Sequence, residues 1–127
     1  MTRLAVFFLC LMGLISLALA GERVAEMRVG RNGNKVSLRI TARNPDKQLR
    51  GPVRIRLYAR TGKRGPWLLI KTWKERALPP HHKICRDYFD DNSLLLRMLA
   101  SRRTLYLKSE VSAPGLRGVA EQTLVQR

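Results

Sequence analysis

The stretch KVSLRITAR, residues 35–43, sets Val36, Leu38, Ile40 and Ala42 in strict alternation with Lys35, Ser37, Arg39, Thr41 and Arg43. VRIRLYAR, residues 53–60, repeats the pattern with Val53, Ile55, Leu57 and Ala59 against Arg54, Arg56, Tyr58 and Arg60. Side chains of a strand point alternately to its two faces, so each stretch predicts a strand with one buried and one solvated face. Bases recur every three or four residues from Arg28 to Arg54, as the polar stripe of a helix would. Gly30, Gly33, Pro45, Gly51 and Pro52 interrupt that span, and its apolar residues keep period two, which decides for strands.

Working outward, Ala25, Met27 and Val29 alternate ahead of the Asn32-Gly33 turn signal, and 67–73 follows a turn built from Gly62, Gly65 and Pro66. Trp67, Leu69 and Trp73 share one parity there, which predicts a tryptophan plugging the core. After Leu78-Pro79-Pro80, residues 83–89 predict a fifth strand whose faces are ambiguous. Asp91, Asn92 and Ser93 are candidate N-caps for Leu94, Leu95, Leu96, Met98 and Leu99, which predict a helical turn or a tucked loop over one end of the core. Residues 104–111 restore alternation with Leu105, Leu107 and Val111 inward, and Pro114-Gly115 leads into an edge strand over 119–125. Seven short strands with turns at about ten-residue spacing predict an all-β fold, an immunoglobulin-like antiparallel β-sandwich.

The chain of 127 residues carries 25 Lys and Arg against 9 Asp and Glu, a formal charge of +16. That balance excludes a surface indifferent to charged partners, and the length leaves little room for a two-domain catalytic cleft. Arg3, the apolar run from Leu4 to Ala20 and the small residues Ala18 and Ala20 predict a secretory signal peptide over 1–20, with one domain over 21–127 in the periplasm or secreted. Cys10 sits inside the apolar run, where it does not match a lipidation signal. Removal of the leader takes away one base, Arg3, and one cysteine, so the charge belongs to the domain and Cys85 has no internal disulfide partner.

The order of these features resembles bacterial immunoglobulin-like or fibronectin-III-like modules, in particular the CARDB-like group. The resemblance rests on the strand running into an Asn loop (Val36 to Asn44), the strand from Val53 to Arg60, the Leu78-Pro79 turn and the late strand with a central Tyr, Leu105-Tyr106-Leu107. It implies extracytoplasmic binding or scaffolding rather than chemistry. The chain departs from that group in its heavy positive charge, and it is expected to stand alone rather than as one repeat of a large surface protein.

Between Arg28 and Lys74 the only acid is Asp46. Outward-facing Arg39 and Arg43 on one strand, and Arg54, Arg56 and Arg60 on the next with Arg64 beyond, predict rows of guanidinium groups about 7 Å apart along each strand. Guanidinium forks bind phosphate and carboxylate bidentately, so the expected partner is an acidic envelope component: a glycan, a lipid A-type phosphate or an acidic protein. Trp67, Trp73 and Tyr58 interleave with these bases as in single-strand nucleic-acid binders, but their parity assigns tryptophan to the core and an exported protein seldom meets nucleic acid. His81 and His82, with Cys85 and Asp87, are the only cluster with copper or zinc ligand chemistry, and no second cysteine or Met-rich motif accompanies them. No nucleophile motif is present, and Asp87, Asp90 and Asp91 read as caps or as partners of Arg86, so neither catalysis nor a cofactor is expected. The alternatives are a structural subunit of a pilus, secretion or envelope assembly, and a periplasmic copper- or zinc-binding protein.

Overall fold

The computed structural model of the chain describes residues 23–32 and 35–126. The expected leader over 1–20, the start at Gly21, Cys10 and Gly33 of the first turn signal lie outside the described residues. Strands β1 (Ala25–Asn32), β2 (Lys35–Arg43), β3 (Val53–Arg60), β4 (Leu68–Glu75) and β5 (Lys83–Phe89) precede helix α1 (Leu94–Arg102), and β6 (Thr104–Ala113) and β7 (Leu116–Val125) complete the chain. The strands form two antiparallel sheets, one of order β1-β2-β5 and one of order β4-β3-β6-β7. The described residues thus form the all-β sandwich of seven strands that the alternation predicts, compatible with an immunoglobulin-like fold. Constant-type immunoglobulin domains pair four strands with three in the order ABED and CFG; here the fourth strand joins the sheet of the third.

The core is built by the predicted parity. Val36, Leu38, Ile40 and Ala42 of β2 are buried against Val53, Ile55, Leu57 and Ala59 of β3 and Leu105, Leu107 and Val111 of β6. Burying each larger aliphatic side chain is worth about 1.5–3 kcal/mol, so these three strands carry most of the stabilisation. Ser109 shares the inward parity of β6 and is fully buried, with its hydroxyl unpartnered among the described residues.

Three expectations change in detail. In β5 the faces resolve with Ile84, Arg86 and Tyr88 toward the other sheet, since they pair with Ala42, Ile40 and Leu38. Arg86 tolerates that parity because β5 is a sheet edge, where its guanidinium crosses to Glu75 of β4 (Nε–Oε2 2.9 Å). In β4 a bulge opposite Leu57 and Tyr58 breaks the shared parity of the two tryptophans. Trp73 pairs with Ile55 and packs on the core, whereas Trp67 lies against outward-facing bases. The segment after β5 is a nine-residue helix whose Leu95 and Leu99 close the core. Ser93 holds the N-cap position but makes no side-chain capping bond, and the buried carboxylate of Asp90 instead accepts from the amides of Leu95 and Leu96 at 3.1 Å each.

Two contacts fix one end and one side of the sandwich. Buried Asn44, just after β2, joins the β2–β3 crossover to the β4–β5 connection, where Arg50 and Leu78 form an isolated bridge. Along the other side β1 packs on β7, and Gln122 Nε2 donates to the Met27 carbonyl at 3.1 Å, which helps to cover the β1 edge. Gly118 permits that approach, because a Cβ there would lie 2.6 Å from the Cβ of Val24.

Candidate basic binding faces

β2 and β3 belong to different sheets, so the outward-facing arginines of the two strands lie on opposite faces of the sandwich. Arg39 and Arg43 are on the outer face of the three-stranded sheet; Arg54, Arg56 and Arg60 are on the outer face of the four-stranded sheet, and Arg64 is exposed in the β3–β4 loop beside it. A single surface of all six, as the sequence leads one to expect, is therefore not formed.

On the four-stranded face, register creates a row across the strands rather than along one. Arg54 pairs with Lys74 of β4 on one side and Ser112 of β6 on the other, and Ser112 pairs with Arg117 of β7. Adjacent strands lie about 4.8 Å apart, so Lys74 and Arg54 are neighbours and Arg117 stands roughly 10 Å further on. All three are exposed, and none belongs to an ion pair among the described residues. Like charges directly opposite on paired strands repel, so the Arg54–Lys74 pairing costs stability unless an anion lies over it.

At the other end of the same face the cations lie against aromatic rings, and the Nε of Arg60 is buried there without a hydrogen-bond partner among the described residues. The Arg60 guanidinium lies 4.0 Å from the Trp67 ring centroid and donates to the Gly65 carbonyl at 3.3 Å. The Lys108 ammonium lies 4.6 Å from the Trp67 centroid and 4.9 Å from that of Tyr58, with Glu110 at 3.7 Å. Cation–π contacts of this kind, worth about 0.5–2 kcal/mol each, hold the β3–β4 loop on the sheet and leave these cations poorly placed for a ligand. Arg60 is thus a structural contact, while Lys74 and Arg117, absent from the sequence-derived set, join Arg54. Their signal is register, which no run of residues displays.

On the three-stranded face, Arg28 pairs with Arg39 and Arg43 with Lys83, two further like-charge pairings. Arg39 also meets Asp87 in a fork (Nε–Oδ1 2.8 Å, Nη2–Oδ2 3.2 Å). The hydrogen bond from Arg39 holds the Asp87 carboxyl below the usual carboxylate range and, reciprocally, raises the guanidinium. Asp87 is therefore the partner of Arg39, not of Arg86.

Cys85 is exposed on this face, its Sγ 3.5 Å from Thr41 Oγ1. His81 and His82 occupy the preceding turn: the His81 amide donates to the Asn44 carbonyl at 2.9 Å, and His82 Nδ1 lies 2.8 Å from the Pro80 carbonyl. Among the described residues no group of three or more His, Cys, Asp or Glu side chains is gathered that could hold a metal ion. Nor, among them, is any helix long and apolar enough to cross a membrane.

A scan against protein-family models finds no match, and a search of curated proteins finds none either. Among solved structures, the chain overlaps a protein from Archaeoglobus fulgidus at 7% identity and a TM-score of 0.40, over 81% of this chain and 95% of that one, a likeness too distant to carry any functional argument.

Proposed function

We propose that the chain is an exported, non-catalytic binding module that engages an acidic envelope partner, a glycan bearing phosphate or carboxylate groups in series, through the outer face of its four-stranded sheet. The observation behind this reading is the row of Lys74, Arg54 and Arg117, three exposed cations set across the sheet without an ion-pair partner among the described residues. A rigid sheet presenting such a row binds anions by charge-assisted hydrogen bonds without first ordering a loop. A binding role also agrees with how the clustered carboxylates are used: Asp90 caps α1 and Asp87 is engaged by Arg39. The leader expected over 1–20 supports the envelope as the place of action.

One observation favours a second reading, a structural subunit of an envelope assembly: β4, an edge strand, exposes half of Leu68 and half of Leu69. A pull-down with the purified protein from envelope extract, at low and high salt, separates the two. Capture of one acidic glycan that salt abolishes supports the basic row. Capture of a protein partner that persists at high salt supports edge docking instead.

A further inference from the structure

Four of the six large apolar side chains exposed among the described residues gather at one end of the sandwich, and we infer that this end docks on an anionic lipid bilayer. Leu68 and Leu69 at the start of β4 are each 50% exposed, Val125 at the end of β7 55% and Phe89 at the end of β5 61%. Register sets them at one end: Leu68 pairs with Ala59, Val125 with Thr104 and Phe89 with Ser37, all remote from the Asn44–Leu78 contact at the other. Helix α1 lies over the same end. The inference goes beyond the glycan reading and does not rest on it, because Arg54, Lys74 and Arg117 pair near the opposite end.

Bases stand between these apolar side chains. Lys63 and Arg64 are exposed in the turn before Leu68, Arg97 and Arg102 are exposed on α1, and Lys35 shares a cleft with Phe89. None of the five belongs to an ion pair among the described residues. Of the nearby acids Asp91 is exposed, whereas Asp90 is buried on the α1 amides and Asp87 is held by Arg39.

The spacing selects the partner. Leu68 with Leu69, and Val125, occupy the two edge strands of the four-stranded sheet, roughly 14 Å apart, and Phe89 belongs to the other sheet, about 10 Å away. The clefts that include Phe89 do not extend to Leu68, Leu69 or Val125. A folded partner would need a matching surface over all these points, and protein interfaces gather apolar residues in a packed centre from which lysine is depleted. A bilayer is fluid and admits each apolar side chain separately, while headgroup phosphates meet the bases and the apolar stems of those bases lie along the interface. A soluble polyanion gains nothing from the four apolar side chains.

The test follows the tryptophan fluorescence of the full chain on vesicles whose lipids are brominated near the top of the acyl chains. Trp67 adjoins Leu68, and every variant carries the same N-terminal residues, so differences among variants report on this end of the domain. Vesicles containing phosphatidylglycerol are expected to quench the parent protein more strongly than vesicles of phosphatidylcholine alone. Leu68→Ser with Leu69→Ser, and Phe89→Ser with Val125→Ser, are each expected to weaken vesicle binding at least about fivefold. Lys63→Gln with Arg64→Gln is expected to weaken it on the anionic vesicles only. Arg54→Gln with Arg117→Gln, at the opposite end, is expected to leave the quenching intact. Circular dichroism verifies folding, and alanine replaces serine in either apolar pair that does not fold. Adsorption of the parent to anionic vesicles without quenching, or quenching undiminished in both apolar pairs, overturns the bilayer as partner. Capture of a protein through Leu68 and Leu69, with no quenching of the parent by vesicles, overturns it in favour of edge docking. Each of these failures leaves capture of dextran sulfate by Arg54 and Arg117, and with it the glycan reading, to stand or fall on its own test.

Discussion

The side-chain amide of Asn44 donates to the carbonyl of Leu78 at 2.9 Å, across 34 residues of sequence. The same nitrogen donates to the Gln48 carbonyl at 2.7 Å, Oδ1 accepts from the Asp46 amide, and the backbone of Asn44 bonds with His82 and His81. Every polar group of a fully buried residue is thereby used, and two connections are held at one end of the sandwich.

Asn44→Ala leaves the carbonyls of Leu78 and Gln48 without this donor, and it is expected to cost about 2–4 kcal/mol in urea unfolding. Asn44→Asp replaces the donor with a buried carboxylate, so it is expected to be worse still at neutral pH and to recover in part as acid protonates it. A loss under about 0.5 kcal/mol for Asn44→Ala would remove Asn44 from this role.

Ser109 presents the opposite case, a buried hydroxyl with no partner among the described residues, set between Leu107 and Val111 on the inward face of β6. Removing an unsatisfied polar group from a core relieves its desolvation cost. Ser109→Ala is expected to raise stability by about 1 kcal/mol, and a loss of similar size would mean that the hydroxyl has a partner.

The strands that could be read from sequence are those with a clean inside and outside: β2 and β3 keep apolar parity without interruption, and β6 departs from it only at Ser109. Parity distinguishes core from solvent but not one sheet from the other. That is why Arg39 and Arg54, both correctly outward, were expected on one surface and stand on two. The β4 bulge carries no glycine or proline to announce it, so Trp67 and Trp73 looked alike. Arg86 obscured β5 because an inward charge is acceptable only at an edge, and edges are set by pairing. Ser93 stands at the N-cap position that the sequence predicts, but in a left-handed conformation and without a side-chain capping bond, and Asp90 reaches over it to the amides beyond.

The Arg39–Asp87 fork sets a pH dependence. The Asp87 pKa is lowered in the folded protein, chiefly by the hydrogen bond from Arg39, so its contribution to stability is present above the unfolded value and is lost as pH falls through the folded one. Carboxyl NMR is expected to show Asp87 titrating below the ordinary range in the parent protein and within it in Arg39→Gln. An unchanged titration in that variant would place the cause elsewhere.

The Lys74–Arg54 pairing sets stability against binding. Lys74→Glu turns a like-charge cross-strand pair into an opposite one and is expected to raise stability by about 0.2–1 kcal/mol while weakening capture of dextran sulfate. If the variant became more stable and bound equally well, the row would have no part in binding.

The most direct test of the basic row observes its guanidinium groups in the presence of a polyanion. With isotope-labelled protein titrated with a short dextran sulfate oligomer, the Nε–Hε signals of Arg54 and Arg117 are expected to shift, to return when salt is raised, and to move further than that of Arg60 on Trp67. Saturable binding that leaves the signals of Arg54 and Arg117 unmoved would contradict the account.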